Sequence, residues 1–384
     1  MIKVGFDATP LLGPRTGVGE FCSGAIRSLD SLEGVDLRTF AVTWRNRGRL
    51  PAALGGVAPS KQLPMPARPL QKLWSKVNFP PIELFVGSLD VVHGSNFVVP
   101  PSARAARVVT VHDLTPLLYP SLAEPATLAF PRLVGRAIEN GALVHTHSEF
   151  IAEQVVENFR VDRERVIAVA PGVAQLHELA AGSASVSDDH FDPALEGVAL
   201  NGRPFVLGLG TIEPRKDFLT LIGGFEVAAR ANEDLMLVIA GGPGWGSDEV
   251  EERISRSPFA DRIVLPGYVT SAMRRWLLSK ASVFVYSSIY EGFGLPPIEA
   301  MTMGVPVISS RAGSLPEVLG DAVDYFDVGD ANGLGERIEV MTNDDRLVAQ
   351  LRIRGTERVG RYTWAKCALG LRDIYLKAIE VQKS

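Results

Sequence analysis

Two cysteines in 384 residues, Cys22 and Cys367, are too few and too far apart for a disulfide framework or for a Cys-x-x-Cys metal or redox site. Each is expected to behave as a small buried hydrophobe. No apolar run reaches the roughly 18 residues that a membrane span requires. The opening Met1-Ile2-Lys3-Val4-Gly5-Phe6-Asp7 turns polar too soon for a signal peptide, so a cytoplasmic location is expected. No pair of histidines has ligand spacing with a suitable third group, and no metal is expected. Neither the three-glycine dinucleotide fingerprint nor the Gly-Lys-Ser/Thr of a P-loop is present. Acid is missing between Asp36 and Glu83, while Arg38, Arg45, Arg47, Arg49, Lys61, Arg68, Lys72 and Lys76 fall there with Trp44, Leu70, Leu73, Trp74 and Phe79 among them. Segment 37–82 fits an anionic membrane surface, with a peripheral location on its inner face, as well as it fits a solvated basic loop. With a net charge of -5 and no recognition motif, nucleic acid is not an expected partner.

What is present points to two α/β domains. The length exceeds one ordinary core, and 46% of the residues are hydrophobic. Strand-like runs at Ile2 to Phe6, Val91 to His93, Val108 to Val111, Leu143 to Thr146 and Val166 to Val169 alternate with helical or loop stretches. The second half repeats the pattern with Phe205 to Leu209, Leu235 to Ala240, Ile263 to Leu265, Val283 to Tyr286 and Val305 to Ser309. Such alternation predicts two Rossmann-like parallel sheets. Residues 181–204 lose periodicity and gather Ser, Asp and Gly, as a linker does, which sets a boundary near 180 and domains of 1–180 and 181–362.

The chemistry concentrates in Ser287-Ser288-Ile289-Tyr290-Glu291-Gly292-Phe293-Gly294-Leu295-Pro296-Pro297-Ile298-Glu299-Ala300-Met301. A buried strand runs into a glycine turn, and Pro296-Pro297 suit a first helical turn. Backbone amides of Gly292, Phe293, Gly294 and Leu295 and the positive end of a helix can meet a phosphate, while Glu291 and Glu299 offer acceptors to hydroxyls. A ligand with two polyol ends and a charged middle fits, which describes a nucleotide sugar. Pro214-Arg215-Lys216-Asp217 precedes an apparent helix from Phe218 to Arg230, and cations at that end of a dipole are unfavourable unless an anion comes. Gly17 and Gly19 lie in a strand-to-helix loop where open α/β sheets bind ligands. His112 ends a strand in Val111-His112-Asp113; His93, His145 and His147 also end strands, and nothing in the sequence sets them apart.

With Gly210-Thr211-Ile212-Glu213-Pro214-Arg215-Lys216-Asp217, Thr146-His147-Ser148-Glu149-Phe150 and Pro306-Val307-Ile308-Ser309, these motifs make most of the chain resemble the retaining glycosyltransferases of family 4. The resemblance implies a GT-B fold, two Rossmann-like domains facing across a deep cleft, with the last helix, 363–384, returning to the N-terminal acceptor domain. It implies transfer of a hexosyl group from a nucleoside diphosphate sugar to a glycan or lipid-linked acceptor, with retention of configuration and without a cofactor. GDP-mannose is the favoured donor, because the Gly-Thr-Ile-Glu-Pro-Arg-Lys-Asp form looks like bacterial mannosyltransferases of polysaccharide assembly; a UDP-hexose is the other possibility. By the same resemblance Glu291 grips the sugar, Glu299 holds the ribose, and Arg215, Lys216 and the Gly17/Gly19 loop meet the diphosphate. His112 lies near the reacting carbon through its ring or backbone carbonyl, and the backbone at Tyr268 and Val269 reads the base. One departure is that many members place Arg directly after the strand glycine, where this chain has Gly210 and Thr211. A sugar-nucleotide epimerase or phosphorylase of the same fold, or a non-catalytic nucleotide-sugar-binding subunit, would share these motifs.

Overall fold

The computed structural model describes residues 1–13, 16–60, 62–173 and 200–383. The expected boundary near 180 and residues 181–199 of the expected linker lie outside them. The chain divides into two compact units, Met1–Gly172 with Tyr362–Ser384, and Val173–Arg361.

In the first unit six strands, β1 (Ile2–Asp7), β2 (Val35–Phe40), β3 (Val91–Gly94), β4 (Ala106–Val111), β5 (Leu143–Thr146) and β6 (Val166–Ala168), form a sheet in the order β2-β1-β3-β4-β5-β6. Every pairing is parallel, with Val4 opposite Leu37 on one side and Val91 on the other. A parallel sheet needs both faces covered, so its strands read as continuous apolar runs. One face is covered by the helices Gly17–Asp30 and Trp364–Lys383, which bury Phe21, Cys22, Ile26 and Leu29 with Cys367, Leu371, Ile374 and Tyr375. Both cysteines are free and buried, and burial pushes each thiol up to about 12. The two helices cross closely at Gly24, where a Cβ would run into the Trp364 ring. The other face is closed by a cluster that includes Phe40, Met65, Leu70, Trp74, Ile82 and Val92. Leu70 and Trp74 of the basic segment therefore belong to the core, while Trp44, Leu73 and Phe79 are exposed.

The second unit repeats the plan with β7 (Phe205–Leu209), β8 (Met236–Ala240), β9 (Ile263–Gly267), β10 (Val283–Tyr286), β11 (Val307–Ser310) and β12 (Asp324–Phe326), in the order β12-β11-β10-β7-β8-β9. Again all pairings are parallel. Helices Phe218–Ala229 and Ala331–Asn343 pack on it through Leu221, Ile222, Phe225, Leu334 and Ile338, all essentially inaccessible to solvent. Each such side chain contributes on the order of 1.5–3 kcal/mol. β10 is central, so whatever follows its carboxyl end is held by a rigid strand. Among the described residues, no helix is long and apolar enough to cross a membrane.

Candidate functional site

β10 ends at Tyr286, and the chain turns through Ser287–Gly294 into the helix Leu295–Thr302, with proline in its first turn as the sequence predicts. Gly294 caps that helix at φ +88, in the left-handed region, and an added Cβ would sit 2.6 Å from Leu315 Cδ2. Glycine is required there on both counts.

Glu291 stands inside this turn, 6% exposed. Four donors converge on its Oε1: Lys216 Nζ at 2.6 Å, Arg215 Nη1 at 2.8 Å, the Tyr286 hydroxyl at 2.8 Å and the Ser288 hydroxyl at 2.8 Å. Burial alone would push this carboxyl up; the charges of Arg215 and then Lys216 overturn that and hold it at about 2. The Tyr286 hydroxyl is pushed well above its ordinary value by burial and then by the Glu291 charge, so it stays a donor. The Glu291 backbone is equally fixed. Its carbonyl accepts from the Ser314 amide and hydroxyl, both at 3.0 Å, and Gly313, at φ +54, lies where a Cβ would be 2.7 Å from the Glu291 nitrogen.

Arg215 and Lys216 both face the carboxylate of Glu291, an anion supplied by the chain itself. Arg215 also donates to the Tyr290 carbonyl at 2.9 Å and to Glu213 at 2.6 Å. Nor is the following helix start left uncapped. Asp217 occupies a left-handed position and accepts from the Thr220 amide at 3.2 Å and the Thr220 hydroxyl at 2.6 Å, which complements the dipole. Lys216 has three N–H donors, and the hydroxyl of Tyr286 at 2.7 Å and Glu291 occupy two. Gly313 and Ser314 escaped the sequence reading, and Tyr286 and Ser288 were named in it without a role. The available signal was their position at the carboxyl ends of β10 and β11, where open sheets build sites.

The other candidates are placed as follows. Glu299, on the helix Leu295–Thr302, pairs with Arg274 from the helix Ser271–Lys280, and both keep partial exposure. Gly292 and Phe293 are buried in the turn, and Leu295 is half-buried. Tyr268 and Val269 follow β9 after Gly267, with Tyr268 66% exposed. Gly17 and Gly19 fall in the first turn of the helix Gly17–Asp30; an added Cβ at either meets no atom within 4 Å, and neither has positive φ. Packing and turn geometry thus leave these glycines unexplained, at a helix cost of ~1 kcal/mol each relative to alanine.

His112 directly follows β4, and its companions set it apart after all. Its Nδ1 lies 2.8 Å from His147 Nε2 and its Nε2 lies 2.9 Å from the Ser95 carbonyl. A second chain links the Tyr375 hydroxyl to His93 at 2.7 Å, His93 to Thr110 at 2.7 Å, Thr110 to His145 at 2.9 Å and His145 to the Val169 carbonyl at 3.0 Å. Burial holds His112 and His145 at about 4, and His93 and His147 well below the ordinary value. The sequence reading missed the cluster because its members come from three strands spaced tens of residues apart. Among the described residues no group of three or more His, Cys, Asp or Glu is arranged to hold a metal.

Residues 16–172 match the model of the glycosyl transferase 4-like domain, and residues 196–358 match that of glycosyl transferases group 1. Over 281 residues the chain is 28% identical to the O-antigen chain mannosyltransferase B of Escherichia coli, across 72% of this chain and 71% of that protein. It is 26% identical over 306 residues to the serotype-specific mannosyltransferase WbdA of Escherichia coli, across 76% of this chain but only 36% of that longer protein. Among solved structures, Anabaena Alr3699/HepE in complex with UDP and glucose matches with a TM-score of 0.71 at 14% identity, covering 97% of this chain and 99% of that one. Identity that low carries the fold alone. With two matched domain models lying over two six-stranded parallel sheets, the chain belongs to the glycosyltransferases of the GT-B fold, a glycosyl transferase 4-like domain followed by a group 1 domain.

Proposed function

We propose that the protein moves a mannosyl group from GDP-mannose to a hydroxyl of a glycan or lipid-linked acceptor, with retention of configuration. The observation that carries the reading is the convergence of Arg215, Lys216, Tyr286 and Ser288 on one oxygen of Glu291. All four contacts reach Oε1, and Oε2 is assigned to accept from a hydroxyl of the donor sugar. The third N–H of Lys216 and the backbone N–H groups of Gly294 and Leu295, which lead into the helix before Pro296 and Pro297, meet the diphosphate. In that low-dielectric setting they neutralise the charge that builds on the leaving group. Glu299 and Arg274 take the ribose end, and Tyr268 with Val269 the base. The open space at Gly17 and Gly19 supports close approach of a ligand to bare backbone. Both ring nitrogens of His112 are engaged, so any contribution it makes at the reacting carbon comes from its backbone carbonyl. The mannosyltransferase relatives favour mannose over other hexoses.

A thermal-shift panel of GDP, UDP, ADP and their sugars tests the donor. Ligand at 100 times its Kd adds ~2.7 kcal/mol, or about 5–11 °C for a unit of this size. GDP and GDP-mannose are expected to give that rise; no shift with any nucleotide would sink the assignment.

A second reading concerns the acceptor. Trp44, Leu63, Leu73, Val77, Phe79 and Leu84 are all exposed, Trp44 and Phe79 by 60% and 62%, within the stretch that lacks acid from 37 to 82 and its flank. Apolar groups among arginines and lysines suit an anionic lipid surface, where a lipid-linked acceptor would be met. Liposome co-sedimentation decides: retention on phosphatidylglycerol vesicles and not on phosphatidylcholine supports docking, and equal or no binding to both refutes it.

A further inference from the structure

With the His112 ring neutral, the hydrogen bonds around it admit one proton arrangement. The Ser95 carbonyl can only accept, so His112 Nε2 carries the proton that bridges their 2.9 Å gap. At neutral pH the ring holds no second proton, because burial holds it at about 4 despite the bond to Ser95 and the nearby Asp113 charge. Nδ1 is therefore bare, and His147 Nε2, 2.8 Å away, must donate to it. The same logic runs through the neighbouring chain: the Val169 carbonyl fixes the His145 Nε2 proton, Thr110 donates to His145, His93 donates to Thr110, and Tyr375 donates to His93. His147 is itself held. It lies between the end of β5 and Ser148, which caps the helix Glu149–Phe159 by accepting from the Ile151 amide. Phe21 packs edge-on against His147 and His112, with centroids 4.6 Å and 5.8 Å away, and Phe97 flanks His112 at 5.5 Å. His112 is thus clamped by one donor, one acceptor and two rings.

We infer that His147 is a positioning residue for His112: its Nε2–H fixes the His112 tautomer and ring plane, and through them the backbone at the carboxyl end of β4. This rests on the reading of His112 as a reaction-site residue. A core histidine that merely fills space would be replaceable by any ring, whereas a positioning donor is replaceable only by another donor. The titratable groups whose charges bear on the pair are His93, His145 and Asp113.

The test uses the full chain with 15N-labelled histidine, as wild type, His147→Gln and His147→Phe. Glutamine places an amide N–H where Nε2 stood; phenylalanine keeps the ring and removes the donor. Long-range 15N correlation at pH 7 is expected to show His112 as the Nε2–H tautomer in wild type and His147→Gln, and as a mixture in His147→Phe. For transfer from GDP-mannose to octyl α-mannoside, His147→Phe is expected to lose about tenfold or more in kcat with donor KM nearly unchanged, and His147→Gln to recover most of it. An Nδ1–H tautomer of His112 in wild type overturns the inference, whether or not the Phe variant folds. So does an unchanged kcat in a His147→Phe protein with native near-UV circular dichroism. If intact wild type turns over no nucleotide sugar, the functional reading fails, and the wild-type tautomer still decides the pairing.

Discussion

Replacing Glu291 by glutamine keeps its size and removes its charge, leaving Arg215 and Lys216, whose side chains are 15% and 11% exposed, facing a neutral amide. The loss can be estimated in two ways. Holding the carboxyl at about 2 against an ordinary 4.5 corresponds to about 3 kcal/mol of folding free energy. Removing one partner of a buried ion pair costs about 3–5 kcal/mol, because the partner charge stays buried. Both point to ~3–4 kcal/mol, or a fall in Tm of about 6–16 °C. The pH dependence carries a definite sign. A carboxyl whose folded value is depressed contributes stability above its unfolded value, and that contribution disappears as pH falls through the folded one. The gap between wild type and Glu291→Gln should therefore stay nearly full from pH 7 to about 5, fall to less than half by about pH 3 and nearly vanish near pH 2. Urea denaturation of both proteins across that range, reading the transition of the second unit, measures it. A gap under ~0.5 kcal/mol at pH 7, or one that does not narrow on acidification, would refute the electrostatic account of this site.

Two further substitutions test other parts of the same turn. Gly294→Ala must carry a Cβ at φ +88 and 2.6 Å from Leu315, so a loss of ~2–3 kcal/mol is expected by chemical denaturation; a Tm within 2 °C of wild type would contradict the requirement for glycine. Glu299→Ala breaks a partly exposed pair with Arg274, so stability should change by less than ~1 kcal/mol while the thermal shift given by GDP-mannose falls by half or more; an undiminished shift would remove Glu299 from the ribose.

The interior of the fold is legible in the sequence because central parallel strands are apolar on both faces. Phe205 to Leu209 and Val283 to Tyr286 were read within a residue of their observed bounds. β2 and β12 were missed, and both are edge strands: Asp36 and Arg38 in one and Asp324 in the other break the apolar run that marks a covered strand. At the site, the glycine turn, the prolines and both glutamates could be read because they are contiguous. The partners of Glu291 could not, since Lys216 lies 75 residues from it and pairing at that distance leaves no local trace. The sequence placed the cations just before the helix Phe218–Ala229 and gave no sign of the Glu291 carboxylate beside them. The histidine cluster illustrates the same limit, for its four rings meet only because β3, β4 and β5 are adjacent in the sheet.

The central claim is that a site built on Glu291, Arg215 and Lys216 transfers mannose with retention. Proton NMR of the product formed from GDP-mannose and octyl α-mannoside tests it most directly. The account predicts release of GDP with an α-linked mannosyl product, identified by its one-bond C1–H1 coupling, and loss of that product in the Glu291→Gln protein under conditions where it remains folded. A β-linked product, or consumption of UDP-glucose with GDP-mannose untouched, would contradict it.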